Sequence, residues 1–521
     1  MNGAFSIIIY DKMRQKIFCA SDRFGTIPLF YYLRGATLFI SDIFFSIVEQ
    51  LKKISIDHDS VRELILSGYV GGSRNIVSSI CEVPQATIIQ FDLLNNTSIA
   101  KKETRYWRLS YVSHSSQSES KLIDAFIEIM NEVFKRFSSA LNSKNWRLLV
   151  MLSGGMDSRL LLTFLLRHNY HNLSTLSYGT INDRDVAIAK KVAQHLCVEH
   201  IENLVKDHGF FNREFIKKYV YIMGETTRFT CGIGLQYSLL NHSLEMDCFI
   251  PGHSFDAATG SQLTPEIFAL STKEDVYALI FQTHFTSLGE KSILCLFGKD
   301  AVTEQVMKKR DEFEVDSSDL IGSFERWNFE NRQRRLILRE KRTYARKANW
   351  ILPFYDYQLV DFFAGVLYPM KYRQKLYVNA FIKDDRFNKV FSLPYKKGTL
   401  KRIEKLSLAE KYIIHKPGTM MSRLYGKYYG ARRKLGKLCT RYEYDFSGPI
   451  PIEYWWYNTQ GFKEKICNIL HEFQHDDQFY NKSYLDYLLF SEKMPSKFIH
   501  EGIPSLLTLN FMCQLMRKQT S

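Results

Sequence analysis

Long uncharged runs are missing from this sequence, and none approaches the ~20 apolar residues of a membrane-spanning helix. Its nine cysteines are scattered, with no Cys-x-x-Cys pair and no Cys/His cluster at zinc spacing. That excludes a zinc ribbon and a disulfide framework, and an odd, dispersed set fits reduced thiols. No basic leader opens the chain, since Met1–Tyr10 is apolar, so a cytoplasmic protein without a transmembrane segment is expected. Internal repeats are absent. So are a Walker-type Gly-Lys-Ser/Thr loop and a Gly-x-Gly-x-x-Gly dinucleotide fingerprint, which removes two common ways of binding a nucleotide.

What is present is a chain of 521 residues with 45% hydrophobic content, enough for two or three domains with substantial cores. The net charge is +15, from 70 Lys+Arg against 55 Asp+Glu. Nucleic acid, an anionic membrane face and a phosphate-rich ligand all fit that excess, and charge alone does not choose.

Residues 1–110 read mainly as β-structure. "GAFSIIIYD", "QKIFCASD", "LFYYL" and "TLFISD" are short apolar or alternating runs split by turn residues, and "ATIIQFDLLNNTSIAKK" reads as a hairpin turning at Asn95-Asn96. Cys19 lies on one of these strands and is expected in the core. The polar stretch Ser113–Ser120 is the best linker candidate. A helical period begins at Leu122 (Leu122, Phe126, Ile129, Val133, Phe137), and strands then alternate with helices: Leu148–Leu152, Leu173–Gly179 with helix Asp185–Leu196, and Asp247–Gly252. This alternation predicts a doubly wound parallel sheet, in which ligands sit at the carboxyl ends of the strands. All three strands end in candidate ligand groups: Ser153–Asp157, Tyr178-Gly179 and Gly252–Asp256. Beyond Thr264 the chain reads as helical. The expected division is 1–112, a linker at 113–121, a nucleotide-binding part at 122–400 and a helical extension at 401–521.

The stretch "LSGGMDSRLLLTFLL" carries the chemistry. Ser153, Gly154 and Gly155 form a low-bulk turn between a strand and a helix, where free N–H groups and the positive end of the helix dipole favour an anion, above all phosphate. The alternative is a turn that merely closes a βα unit. Ser-Gly-Gly-x-Asp-Ser resembles the pyrophosphate loop of the ATP pyrophosphatases, which cleave ATP to AMP and pyrophosphate. "DRFGTIPLFYY", "LFISD", "VPQATIIQFD" and Tyr106-Trp107 resemble the glutaminase domain of asparagine synthetases. "PGHSFDAATG", "LPFYDYQLVDFF" and "LPYKKG" resemble the second acidic loop, the Pro-Phe-Leu-Asp signature and the closing lysine segment of the synthetase domain. The resemblance runs in the family's order from residue 2 to about residue 400.

It implies an α/β protein: an incomplete α+β remnant of an Ntn-type glutaminase sandwich, then an adenine-nucleotide α-hydrolase-like synthetase domain. Leu152, Tyr178 and Gly252 would frame the adenosine. Ser153, Gly154, Gly155 and Ser158 would hold pyrophosphate, Asp157 and Asp256 would ligate Mg²⁺, and Lys396 or its neighbour Lys397 would neutralise charge on the α-phosphate. The plain alternative for that lysine pair is an exposed basic surface. ATP would adenylate a carboxylate, aspartate or a related acid, and ammonia or an amine would then displace AMP.

Two departures from the family stand out. The family's glutaminase begins with an exposed cysteine, whereas this sequence begins Met1-Asn2-Gly3 and matches the middle of that domain, leaving Asp22 as a remnant of the glutamine pocket. A separate glutaminase or a second copy of the chain is then a candidate partner. In the acidic loop, His253 and Ala257 replace the family's flanking acids, which argues against aspartate as the acid. The alternatives are a non-catalytic, partner-dependent homologue and an amide-forming ligase of a surface-polysaccharide or peptide pathway. A tRNA-modifying enzyme would predict a cysteine pair or a zinc site, and no nucleic-acid partner is expected. The basic stretches Glu330–Lys347 and Gly430–Lys437 are expected to be solvated helix faces.

Overall fold

Period-2 patterning and turn residues build the first part of the chain. The computed structural model describes residues 2–93, 98–111, 117–223, 227–229, 245–252, 255–285, 290–300, 304, 310–339, 342, 348–383, 385–394, 408–439, 450–471, 479–491 and 494–517. The antiparallel strands β1 (Ser6–Asp11), β2 (Lys16–Ser21), β6 (Thr87–Asp92) and β7 (Ala100–Arg105) form one sheet in the order β1-β2-β6-β7. A second sheet, β4-β3-β5, contains β3 (Phe30–Arg34), β4 (Thr37–Ser41) and β5 (Ile80–Glu82). The two sheets bury Cys19, Ile89 and Phe91 of one against Tyr31 of the other, with Leu29 and Val83 beside them. Cys19 is thus a core residue, its thiol pushed up to about 12 by burial. The turn expected at Asn95-Asn96 lies outside the described residues.

Between β4 and β5 the chain also forms two helices, α1 (Phe44–Val48) and α2 (His58–Ser67). Helix α2 has sequence punctuation at both ends. The Asp57 carboxylate accepts from the Asp59 N–H at 3.1 Å, and Gly68 closes the helix in the left-handed region at φ 79°.

After helix α3 (Glu119–Lys144), β8 (Leu148–Met151) enters a five-stranded sheet of order β10-β9-β8-β11-β12, with every neighbouring pair parallel. Its other strands are β9 (Leu173–Gly179), β10 (His200–Leu204), β11 (Cys248–Ile250) and β12 (Asn349–Trp350). Helix α4 (Met156–Arg167) joins β8 to β9, and α5 (Arg184–His195) joins β9 to β10. Strand β8 is buried on both faces, as its unbroken apolar run requires. Leu148 and Val150 pack into the large core with α3 and α4, while Leu149 packs on the opposite face with Leu176 and Phe249. Successive strands run outward from β8 to one side, whereas β11 and β12 lie on its other side. The order therefore reverses between β8 and β11, the position at which open α/β sheets bind ligands.

The carboxy-terminal part is helical, ending in Ile503–Arg517. Its buried faces share a core with Phe30, Phe44, Val61 and Leu64 of the first part and with helix α6 (Arg213–Met223). No helix among the described residues is long and apolar enough to cross a membrane.

The basic stretch at 330–347 corrects the expectation of a solvated face. Arg334, Arg335 and Arg339 are 1%, 0% and 2% exposed. They sit on or just after a π-helix, Asn328–Ile337, and all three guanidiniums converge on the buried carboxylate of Glu82. Sequence pattern shows the charges but not the distant glutamate that makes their burial tolerable.

Candidate active site

The turn after β8 stays open because of what its residues lack. Gly155 occupies the N-cap of α4 in extended conformation (φ −78°, ψ 171°), and no side chain caps the helix. The Ser153 hydroxyl accepts from the Gly155 N–H at 3.1 Å and lies 3.1 Å from the Ser158 hydroxyl, which accepts from the Ser153 N–H at 3.1 Å. Two hydroxyls are thereby fixed beside the positive end of α4. A Cβ on Gly154 would stand 2.6 Å from the Asp185 carboxylate, and one on Gly252 would stand 2.6 Å from Cβ of Ser158. Glycine at these positions lets α5 and the end of β11 close on the turn.

Beyond β11 the short helix Phe255–Thr259 presents Asp256 to the same place. The Asp256 N–H donates to one oxygen of Asp157 at 3.0 Å, and the Tyr377 hydroxyl donates to the other at 2.7 Å. Burial raises the Asp157 carboxyl to about 7, and the negative charge of Asp256 adds to the shift. Burial also raises Asp256, against the opposing pull of the Ala257 N–H, the Ser261 hydroxyl and the charge of Arg332. Two acids held together at this cost are suited to a divalent cation. Among the described residues no group of three or more His, Cys, Asp or Glu side chains could hold a metal. A cation at Asp157 and Asp256 would therefore draw its other ligands from phosphate and water, the pattern of Mg²⁺ in nucleotide sites rather than of an all-protein cage.

Leu152 is buried, and its N–H donates to the Leu176 carbonyl at 2.9 Å, joining the ends of β8 and β9. Tyr178 lies at the end of β9, partly exposed. The structure thus brings Leu152, Ser153, Gly154, Gly155, Asp157, Ser158, Gly252 and Asp256 together around one switch point. Lys396, Lys397 and His253 lie outside the described residues. Asp22 is buried in the first part of the chain, its oxygens accepting from the N–H groups of Phe5, Phe24 and Thr26 and from the Thr26 hydroxyl. Asp356, in the "LPFYDYQ" stretch, caps the helix Tyr357–Ala364 and binds Arg136 and the Asn2 amide.

Sequence reading missed Arg159 and Tyr377. Arg159 is fully buried, and its guanidinium donates to the carbonyls of Gly154 (3.2 Å), Val390 (3.3 Å), Leu393 (3.2 Å) and Pro394. It is the one charge in "LLLTFLL" and its lead-in "SRL", an anomaly that could have flagged it. Tyr377 carries no comparable signal.

Comparison with known proteins agrees with this geometry. Residues 1–107 match a glutamine amidotransferase domain, and residues 139–242 match asparagine synthase. Asparagine synthetase [glutamine-hydrolyzing] 2 of Bacillus subtilis is 26% identical over 225 residues, 42% of this chain and 30% of that protein. The human asparagine synthetase [glutamine-hydrolyzing] is 25% identical over 218 residues, 39% of this chain and 35% of its own length. Asparagine synthetase [glutamine-hydrolyzing] 3 of B. subtilis is 28% identical over 168 residues, 30% of this chain and 24% of that protein. The matched stretches thus span well under half of these relatives. Two family matches in the expected order, on a fold that gathers the predicted turn and acids at one switch point, show that the chain is similar to the asparagine synthetases in both of these stretches.

Proposed function

We propose that this chain is an ATP-dependent ligase that converts a carboxylate to an acyl-adenylate, releasing pyrophosphate, and then forms an amide with ammonia or an amine as AMP leaves. The observation that carries this reading is the pairing of an uncapped Ser-Gly-Gly turn after β8 with two adjoining acids, Asp157 and Asp256, across the switch point. In this reading the N–H groups of the turn and the hydroxyls of Ser153 and Ser158 hold the β- and γ-phosphates. They donate to oxygens whose negative charge grows as pyrophosphate departs. Leu152, Tyr178 and Gly252 border the adenosine.

Asp157 and Asp256 would hold Mg²⁺, which supplies charge neutralisation between the incoming carboxylate and the triphosphate. Tyr377 keeps Asp157 turned to the site. Arg159 pins the chain at Pro394, two residues before Lys396, to the carbonyl of Gly154, which supports a role for Lys396 at the α-phosphate. The proposed division of labour assigns 1–112 to a glutaminase-type part, 122–400 to ATP chemistry and 401–521 to an extension.

The test is release of AMP and pyrophosphate from ATP and Mg²⁺ with ammonium, across a panel of carboxylates, with Asp157→Ala as the blank. Release that needs both a carboxylate and Asp157 supports the ligase. No AMP with any acid would sink it.

A further inference from the structure

A cavity of about 820 Å³ is joined to Asp256 through a two-step hydrogen-bond relay. The path to it is short. The Ser261 hydroxyl donates to Asp256 at 3.3 Å and accepts from the Gln262 amide at 3.4 Å, and Gln262 lines the cavity. Arg332 lines it too, and its charge reaches Asp256. Arg332 forms no ion pair with a described carboxylate.

The far wall comes from the carboxy-terminal helix Met420–Cys439, which lies outside both family matches. Gly426 allows it to approach: a Cβ there would stand 2.9 Å from Cβ of Ala269 and 3.3 Å from the Pro265 carbonyl. This contact turns Arg423 and Lys427 of the helix toward the cavity. The lining carries four cations, Arg332, Arg423, Lys427 and Lys497, against two carboxylates, Glu266 and Asp275. Asp275 stays charged, its oxygen accepting from the N–H groups of Ser271 and Thr272 and from the Ser271 hydroxyl, and Lys497 lies 3.9 Å from Glu501, so the surplus of positive charge rests on Arg332, Arg423 and Lys427. An anion is favoured, and the volume falls in the upper part of the roughly 300–1,000 Å³ range of drug-sized ligand sites.

We propose that this cavity is the acyl-substrate site and that its substrate is a carboxylic acid larger than aspartate bearing a second anionic group. The reacting carboxylate lies toward Asp256 and Arg332, and the second charge lies toward Arg423 and Lys427. The helix that sets specificity thus comes from a part of the chain outside both family matches. This inference rests on the ligase reading above, which names the reaction but not the acid.

The experiment uses the full chain with ATP, Mg²⁺ and ammonium and measures pyrophosphate release with aspartate, glucuronic acid 1-phosphate and γ-glutamylglutamate. Wild type is compared with a double charge reversal, Arg423→Glu with Lys427→Glu. Both side chains are exposed, and the pair Arg423→Gln with Lys427→Gln serves if the reversal disturbs folding. The expected result is a KM for one of the two larger acids at least tenfold below that for aspartate. The reversal should raise that KM at least tenfold while leaving the KM for ATP within twofold. Aspartate as the better acid, or a reversal that leaves the KM for the larger acid unchanged, overturns the proposal. If no acid elicits pyrophosphate, the ligase reading has failed by itself, and calorimetric titration of the same acids decides the site. Binding weakened by the reversal upholds it, and no binding overturns it.

Discussion

One guanidinium, that of Arg159, holds the carbonyls of Gly154 and Leu393 at 3.2 Å each. The glycine turn and the segment leading to Lys396 are thereby fixed to a common buried point, although 239 residues separate Gly154 from Leu393 in sequence. Replacing Arg159 with leucine would remove the guanidinium from four carbonyls that it joins, those of Gly154, Val390, Leu393 and Pro394. The expected cost is about 2–4 kcal/mol of stability. Pyrophosphate release should fall more than tenfold even at temperatures where the variant stays folded. Urea unfolding and single-turnover assays on the same preparation check this. A variant with wild-type turnover would mean that the 390–394 segment does not serve the site.

The acid pair makes stability depend on pH in an unusual direction. The folded-state pKa of Asp157, about 7, lies above the ordinary 3.8, so the folded chain holds this proton more tightly than the unfolded chain does. Its contribution to stability is complete below about pH 4 and is lost as pH rises through 7. In EDTA, Asp157→Asn should therefore gain on the wild type as pH rises, with the difference in melting temperature widening by about 5 °C between pH 4 and pH 8. Melting curves at four pH values suffice. A constant difference would show that burial of this carboxyl is not felt by the fold.

Gly252→Ala tests the closeness of β11 to the glycine turn. The added methyl would meet Cβ of Ser158 at 2.6 Å and the Met151 carbonyl at 2.8 Å, both on rigid elements. Overpacking of this kind costs about 1–3 kcal/mol. The first turn of α4 must shift, so the KM for ATP should rise about tenfold. Unchanged KM with lowered stability would locate the strain elsewhere.

Glu82→Gln tests the junction between the first part of the chain and the π-helix. It would leave Arg334, Arg335 and Arg339 buried without the carboxylate on which they converge. Breaking a buried ion cluster from one side costs about 3–5 kcal/mol. Soluble yield and melting temperature should both drop sharply, and a variant as stable as wild type would falsify the assignment of Glu82 as the counter-charge.

Where local pattern and chemistry coincide, the sequence is legible. The apolar run Leu148–Leu152, the glycines after it and the second acidic loop could be placed at strand ends because each carries its own signal. Helix α2 carries its end signals in Asp57 and Gly68, yet the β-rich runs on either side of it set the local pattern. The hydroxyl that orients Asp157 is not legible. Tyr377 is one tyrosine among 30, and only tertiary packing brings it to the carboxylate. The buried arginines misled for the same reason: their counter-charge, Glu82, lies some 250 residues earlier, and periodicity reports no contact at that separation.

The π-helix Asn328–Ile337 turns this segment into a constraint on length as well as on chemistry. Each residue of a regular helix advances its side chain by about 100°. Loss of one residue, which lets a π-turn relapse into an α-turn, would swing Arg334, Arg335 and Arg339 away from Glu82 together, and Arg332 away from the cavity. Natural descent can try many substitutions along these ten positions one at a time. A single-codon deletion would uncouple the scaffold and the recognition surface in one event, so indels here should be far rarer than replacements.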